Sequence, residues 1–167
     1  MSAAVFLDLD GVCNDDAHYS AAVAGCRTHA EAIVAALARG LDPVRVARVE
    51  RVCAAVDASV VIISGWRRYA TTEQIGASLA AAGLTAPVVD AVGGLRFSGE
   101  TRAQATQEWL RAHPEVTAWV VLDDDERQHW RWSHGEAAWC AGRLVHPVDG
   151  ITDADADAAV AILRGAP

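Results

Sequence analysis

Three apolar runs share one kind of ending, and that constrains the fold more than any other feature of the chain. Ala4 to Leu9 runs into Asp8-Leu9-Asp10-Gly11, Val60 to Ile63 into Ser64-Gly65-Trp66-Arg67, and Ala118 to Leu122 into Asp123-Asp124-Asp125. A run apolar at every position, not at every second one, is the pattern of a strand buried on both faces. Between the runs lie segments of helical period. Ala30, Ile33, Val34 and Leu37 predict one helix, closed by Gly40. Asp42 and Pro43 open a second as cap and first residue, with Val49, Val52, Cys53 and Val56 on its inner face.

Thr71 and Gln74 have capping-box spacing for a helix carrying Ile75 and Leu79 and ended by Gly83. A short strand is predicted over Pro87 to Ala91, then a glycine-bearing loop to Thr101. A helix over Arg102 to Ala112 should turn Ala105 and Trp109 inward. Leu144 to His146 reads as a last short strand, and Thr152 as the cap of a helix with Ala156, Val160 and Leu163 facing in. Strands alternating with helices predict an α/β fold, a three-layer Rossmann-like parallel sheet with helices on both faces. In such sheets ligands gather at the carboxyl ends of the strands, where the three polar endings lie.

Composition narrows the function. The 167 residues are expected to form a single domain, 1–167, with no repeat or linker. At 52% hydrophobic and 22% charged the chain is globular, and its longest apolar stretch falls well short of the ~20 residues a spanning helix needs. No leader precedes the first run, which predicts a cytoplasmic protein and no membrane partner. The four cysteines, Cys13, Cys26, Cys53 and Cys140, have no C-x-x-C spacing and read as free thiols. A net charge of −8 disfavours general attraction to polyanions, so any phosphate site must be a local arginine patch. All 14 basic residues are arginine, so any task usually given to lysine falls to arginine here.

The strand endings suggest the chemistry. Asp8 and Asp10 are two residues apart after a strand and should be neighbours, with Gly11 allowing a sharp turn. If Asp123 to Asp125 end an adjacent strand, up to five carboxylates converge. Like charges so close raise one another's pKa or gather a cation, and an all-oxygen site suits Mg²⁺.

Phe6-Leu7-Asp8-Leu9-Asp10-Gly11-Val12, Val60-Val61-Ile62-Ile63-Ser64-Gly65 and Val120-Val121-Leu122-Asp123-Asp124 together resemble the first, second and fourth motifs of the haloacid dehalogenase-like (HAD) phosphohydrolases. Ser64-Gly65-Trp66-Arg67, Glu108-Trp109-Leu110 and Asp149-Gly150-Ile151-Thr152 extend the resemblance. They point to small capless members such as the HAD domain of RNA-repair proteins and the phosphatase part of polynucleotide kinase-phosphatases. The resemblance implies a Mg²⁺-dependent phosphatase with Asp8 as nucleophile and Asp10 as general acid and base. It implies a metal held by Asp8, the Asp10 main-chain carbonyl, Asp123 and Asp124, and a phosphoryl oxygen bound by Ser64 beside Gly65 and Arg67. The family's lysine is replaced, with Arg102 the best candidate and Arg96 a weaker one.

Trp66, Trp130 and Trp132 are candidates to stack a base, and Arg67, Arg68, Arg127 and Arg131 to grip a phosphodiester backbone. His129 and His134 lack metal spacing, and Asp153, Asp155 and Asp157 read as a helix start. Val12 to about Ala30 shows no folding unit, so the site is expected to be capless or minimally capped and open. The expected substrate is a phosphate on a nucleic-acid end or nucleotide. The alternatives are a small-metabolite or nucleoside-monophosphate phosphatase, and a HAD-fold binding module without turnover.

Overall fold

The computed structural model describes residues 2–92, 102–125 and 142–165. Its centre is β1 (Ala3–Leu7), five consecutive buried residues. The elements that follow are α1 (Asp16–Val23), α2 (His29–Arg39), α3 (Pro43–Ala54), β2 (Ser59–Ile62) and a 3₁₀ turn at Gly65–Arg68. Next come α4 (Thr72–Ala81), β3 (Val88–Ala91), α5 (Arg102–Ala112), β4 (Ala118–Leu122), β5 (Leu144–Val145) and α6 (Asp153–Leu163). The five strands form one parallel sheet in the order β3-β2-β1-β4-β5. The chain adds two strands on one side of β1 and then returns to add two on the other. That reversal opens a crevice at the carboxyl ends of β1 and β4.

The alternation of side chains across the sheet splits the core in two. Val5, Leu7, Val60, Ile62, Val120 and Leu122 face α2, α3, α4 and α6, whose Ile33, Val49, Leu79 and Ala156 are buried against them. Ala4, Phe6, Val61, Ile63 and Val121 face the other way, toward Ala103 and Trp109 of α5. Right-handed connections place helices on opposite faces when the direction of strand addition reverses, which accounts for α5 standing apart from α3 and α4. Phe6 anchors the second layer, edge-on to Trp109 at 5.4 Å and to Trp119 at 6.3 Å between ring centroids. Burying such a ring contributes about 1.5–3 kcal/mol before the extra of edge-to-face pairing.

Several predicted elements shift. Between Val12 and about Ala30, where no folding unit was expected, the chain carries the short α1, capped by Asp15; the expected helix that follows, α2, is capped by Thr28 with Glu31 completing a capping box. None of the α1 residues is buried, so there is no apolar period to read. The inner face of α2 is Ala32, Ile33 and Ala36, while Val34 is 59% exposed and Ala30 is exposed. Alanines close to the sheet make this contact, and the larger side chains suggested a face turned too far. On α3 the buried face begins at Val46, with Val56 only partly covered. On α6, Ala159 is buried where Val160 was expected, and Val160 packs at the edge of the core. The outer strands β3 and β5 each lose one terminal residue.

The run Asp153, Asp155 and Asp157 is a helix start, as expected. Thr152 and Asp155 form its capping box, and Arg48 and Arg51 of α3 reach Asp153 and Asp157. These exposed pairs add little stability and chiefly align α3 with α6. Cys13 and Cys53 are buried free thiols and Cys26 is half-buried and free; Cys140 lies outside the described residues. Among the described residues no helix is long and apolar enough to cross a membrane.

Candidate functional site

Strand register builds the site. Leu7 pairs with Ile62 on one side and with Leu122 on the other, so the next residues along β1 and β4, Asp8 and Asp123, come level. The Asp8 amide still donates to the Leu122 carbonyl at 2.9 Å, which fixes the two acids side by side. Asp8 is 3% exposed and Asp123 fully buried. Two carboxylates cannot be held there without counter-charge, and Arg102, the first residue of α5, supplies it. Its Nη1 donates to Asp8 Oδ2 at 2.5 Å and to Asp123 Oδ1 and Oδ2 at 2.7 and 2.6 Å. One guanidinium nitrogen thus reaches both acids, as a compact ammonium would.

The neighbouring acids take distinct places. Asp125 contributes its main chain, the amide donating to Asp123 Oδ1 at 2.9 Å. Asp124 is half-buried and lies across Gly11: a β-carbon at Gly11 would fall 2.2 Å from Asp124 Cγ, and Gly11 has φ +69°. His146 Nε2–H donates to the Asp124 carbonyl at 2.5 Å. The Gly150 and Ile151 amides donate to the Gly11 and Val12 carbonyls, tying the loop after β5 to the loop after β1. Oxygen atoms of Asp8, Asp123 and Asp124 all lie within 4.8 Å of one another.

Asp10 stands beside this trio, not within it. The chain leaves β1 at Leu7, so simple alternation no longer sets its direction. Its Oδ2 accepts from the Trp66 indole Nε1–H at 2.7 Å, and Oδ1 is buried, with the Asn14 side chain beside the carboxyl. Ser64 caps the 3₁₀ turn, is 1% exposed, and its side chain favours the ionised form of Asp8. Space beside Gly65 is open, a β-carbon there meeting nothing within 4 Å, and Arg67 is half-buried.

Trp66 is 1% exposed, so its ring has no free face on which a base could stack, contrary to expectation. A 3₁₀ turn after a buried strand gives no periodic signal of which side chain turns inward. The bonds to Asp10 from Trp66, to Asp123 from the Asp125 amide and to the Asp124 carbonyl from His146 likewise leave no trace in the sequence. Arg96, Arg127, Arg131, Trp130, Trp132, His129 and His134 lie outside the described residues.

Burial shifts the titration of three of the acids. Burial pushes the Asp8 carboxyl up to about 7; Arg102 opposes the shift and Asp123 adds to it. Asp10 is raised by burial against the Trp66 bond, with the Asp124 charge adding to the rise. Asp124 is raised by burial and by Asp123. Arg102 is held above its ordinary value, since Asp8 and Asp123 outweigh the burial that works against its charge. Acids crowded around Arg102, all offering oxygen, fit a small divalent ion.

A stability test follows. An unfolded Asp8 ionises near 3.8 and the folded one near 7. Between those values the folded chain keeps a proton that the unfolded chain has released, so stability falls as pH rises. In chelator the melting temperature should be higher at about pH 5.5 than at about pH 7.5. Mg²⁺ should raise it most at the higher pH, by about 2.7 kcal/mol of stability at a hundredfold excess over Kd. Differential scanning calorimetry at the two pH values decides; a chelated protein more stable at the higher pH contradicts the charge account.

Residues 4–156 match a family model described as the HAD domain in Swiss Army Knife RNA repair proteins. Neither the curated proteins nor the solved structures give a significant match.

Proposed function

The chain belongs to the family of HAD domains found in Swiss Army Knife RNA repair proteins, and from that premise we propose a Mg²⁺-dependent phosphomonoester hydrolase. Its substrate is a phosphate on a nucleic-acid end or a nucleotide. One observation carries the reading: Asp8, Asp123 and Asp124 converge within 4.8 Å at the carboxyl ends of parallel strands, with Arg102 bridging the first two.

Asp8, Asp123 and Asp124, with the Asp10 main-chain carbonyl, would hold the ion. When bound, it supplies the positive charge that lets an anionic nucleophile approach an anionic phosphate. In the first step an Asp8 oxygen attacks phosphorus, the bond from phosphorus to the ester oxygen breaks, and Asp10 gives that oxygen its proton. In the second, Asp10 takes a proton from water, the water oxygen attacks phosphorus, and the Asp8–phosphorus bond breaks to release inorganic phosphate. Asp10 is then protonated again and Asp8 is free. Ser64 donates to a phosphoryl oxygen, and Arg102 offsets charge at the nucleophile.

The family description supports a nucleic-acid end as substrate. So does the small size of the insert after the first motif: α1 buries no residue of its own, and the buried residues of α2 join the main core. Phosphate release with Mg²⁺ from a 3′-phosphorylated oligonucleotide, a 5′-phosphorylated one, a nucleoside monophosphate and an aryl phosphate tests the reading. Preference for an oligonucleotide is expected. Preference for the mononucleotide supports the small-molecule alternative that the −8 charge favours, and silence on all four overturns the reading.

A further inference from the structure

Trp66 and Asp10 come from different strand endings, yet the indole Nε1–H of Trp66 donates to Asp10 Oδ2 at 2.7 Å. The indole is locked in place. It is 1% exposed within the main core, its amide donates to Ser64 Oγ, and its carbonyl accepts from the Tyr69 and Ala70 amides at 2.9 and 3.0 Å. Indole nitrogen is a donor only, so the oxygen facing it must act as an acceptor.

We propose that Trp66 is a positioning residue for the reaction: its N–H holds the Asp10 carboxyl in one rotamer. The buried Asn14 side chain flanks the same carboxyl and, like the indole, favours its ionised form. The role rests on the reading of Asp10 as general acid. A freely rotating carboxyl would present its proton to the leaving oxygen only part of the time. A clamped one presents it in every encounter, which is how a rigid supporting residue contributes to rate.

The test uses Trp66→Phe, which keeps an aromatic ring and deletes the N–H, on two phosphate esters with Mg²⁺ present. An alkyl phosphate has a poor leaving group and needs the proton; a nitrophenyl phosphate scarcely does. For the alkyl ester kcat should fall roughly 10–100-fold, part of the 10²–10⁴ a general acid contributes. The aryl ester should lose less than about 3-fold, and KM should stay unchanged for both. In an Asp10→Asn background the same replacement should add no further loss on the alkyl ester. An unchanged rise in melting temperature on adding Mg²⁺ shows that Trp66→Phe is folded.

Equal losses on both esters, or a loss that persists in the Asp10→Asn background, would overturn the positioning role while the phosphatase reading stands. A wild-type protein silent on both esters and on the phosphorylated oligonucleotides and mononucleotide would overturn the reading itself, and the role with it.

Discussion

Asp8→Asn is expected to release phosphate at least about 10⁴-fold more slowly than wild type, the scale of loss when a covalent nucleophile is removed. The replacement is nearly isosteric, and its amide can keep the acceptor for the Leu9 N–H, which lies 2.8 Å from Asp8 Oδ1. What it removes is charge, nucleophilicity and the Oδ2 acceptor of Arg102, which keeps Asp123. Because burial already makes an ionised Asp8 costly in the metal-free fold, the variant should be at least as stable as wild type in chelator near pH 7.5. Loss of activity with retained or raised melting temperature is the pattern of a residue kept for chemistry at the expense of stability. Activity within about tenfold of wild type would exclude Asp8 as nucleophile, since no removed nucleophile costs so little.

Gly11→Ala should combine a structural and a functional penalty. A side chain at φ +69° costs about 1–2 kcal/mol on backbone grounds alone. The added methyl would also sit 2.2 Å from Asp124 Cγ, so the carboxylate must leave its place over the loop. Gly83→Ala is the control: Gly83 also has positive φ, +108°, but a β-carbon there meets nothing within 4 Å. Each kcal/mol lowers the melting temperature of a chain this long by about 2–4 °C. Gly11→Ala should therefore melt lower than Gly83→Ala and lose roughly 10–100-fold in Mg²⁺ affinity, the penalty of disturbing a ligand's support. Gly83→Ala should bind Mg²⁺ as wild type does. Equal Mg²⁺ affinity in both variants would show that Asp124 is no ligand.

The parts of the fold legible in the sequence are those where burial is complete. β1, β2 and β4 read as uninterrupted apolar runs because a central parallel strand has no solvent face. Thr71 with Gln74 is legible because a capping box is a local device spanning four residues. α1 leaves no period in the sequence because it buries no residue, and the inner face of α2 is hard to read because two of its three buried residues are alanines.

For the site, the sequence carried the identity of the acids but not their arrangement. Asp8 meets Asp123 only through the register of Leu7 on Leu122, a contact across 115 positions of chain that no local pattern encodes. Asp124 over Gly11, and Trp66 turned in to Asp10 instead of out to a base, are long-range packing outcomes of the same kind.

The central claim is that Asp8 carries the phosphoryl group, and a rapid acid quench during turnover of a preferred ester with Mg²⁺ tests it most directly. Acyl phosphates survive acid and are cleaved by hydroxylamine. The account predicts a chain heavier by one phosphoryl group, with the label on the peptide containing Asp8, removed by hydroxylamine and absent in Asp8→Asn. A label on any other residue, or turnover at full rate with no label trapped at any quench time, would contradict it.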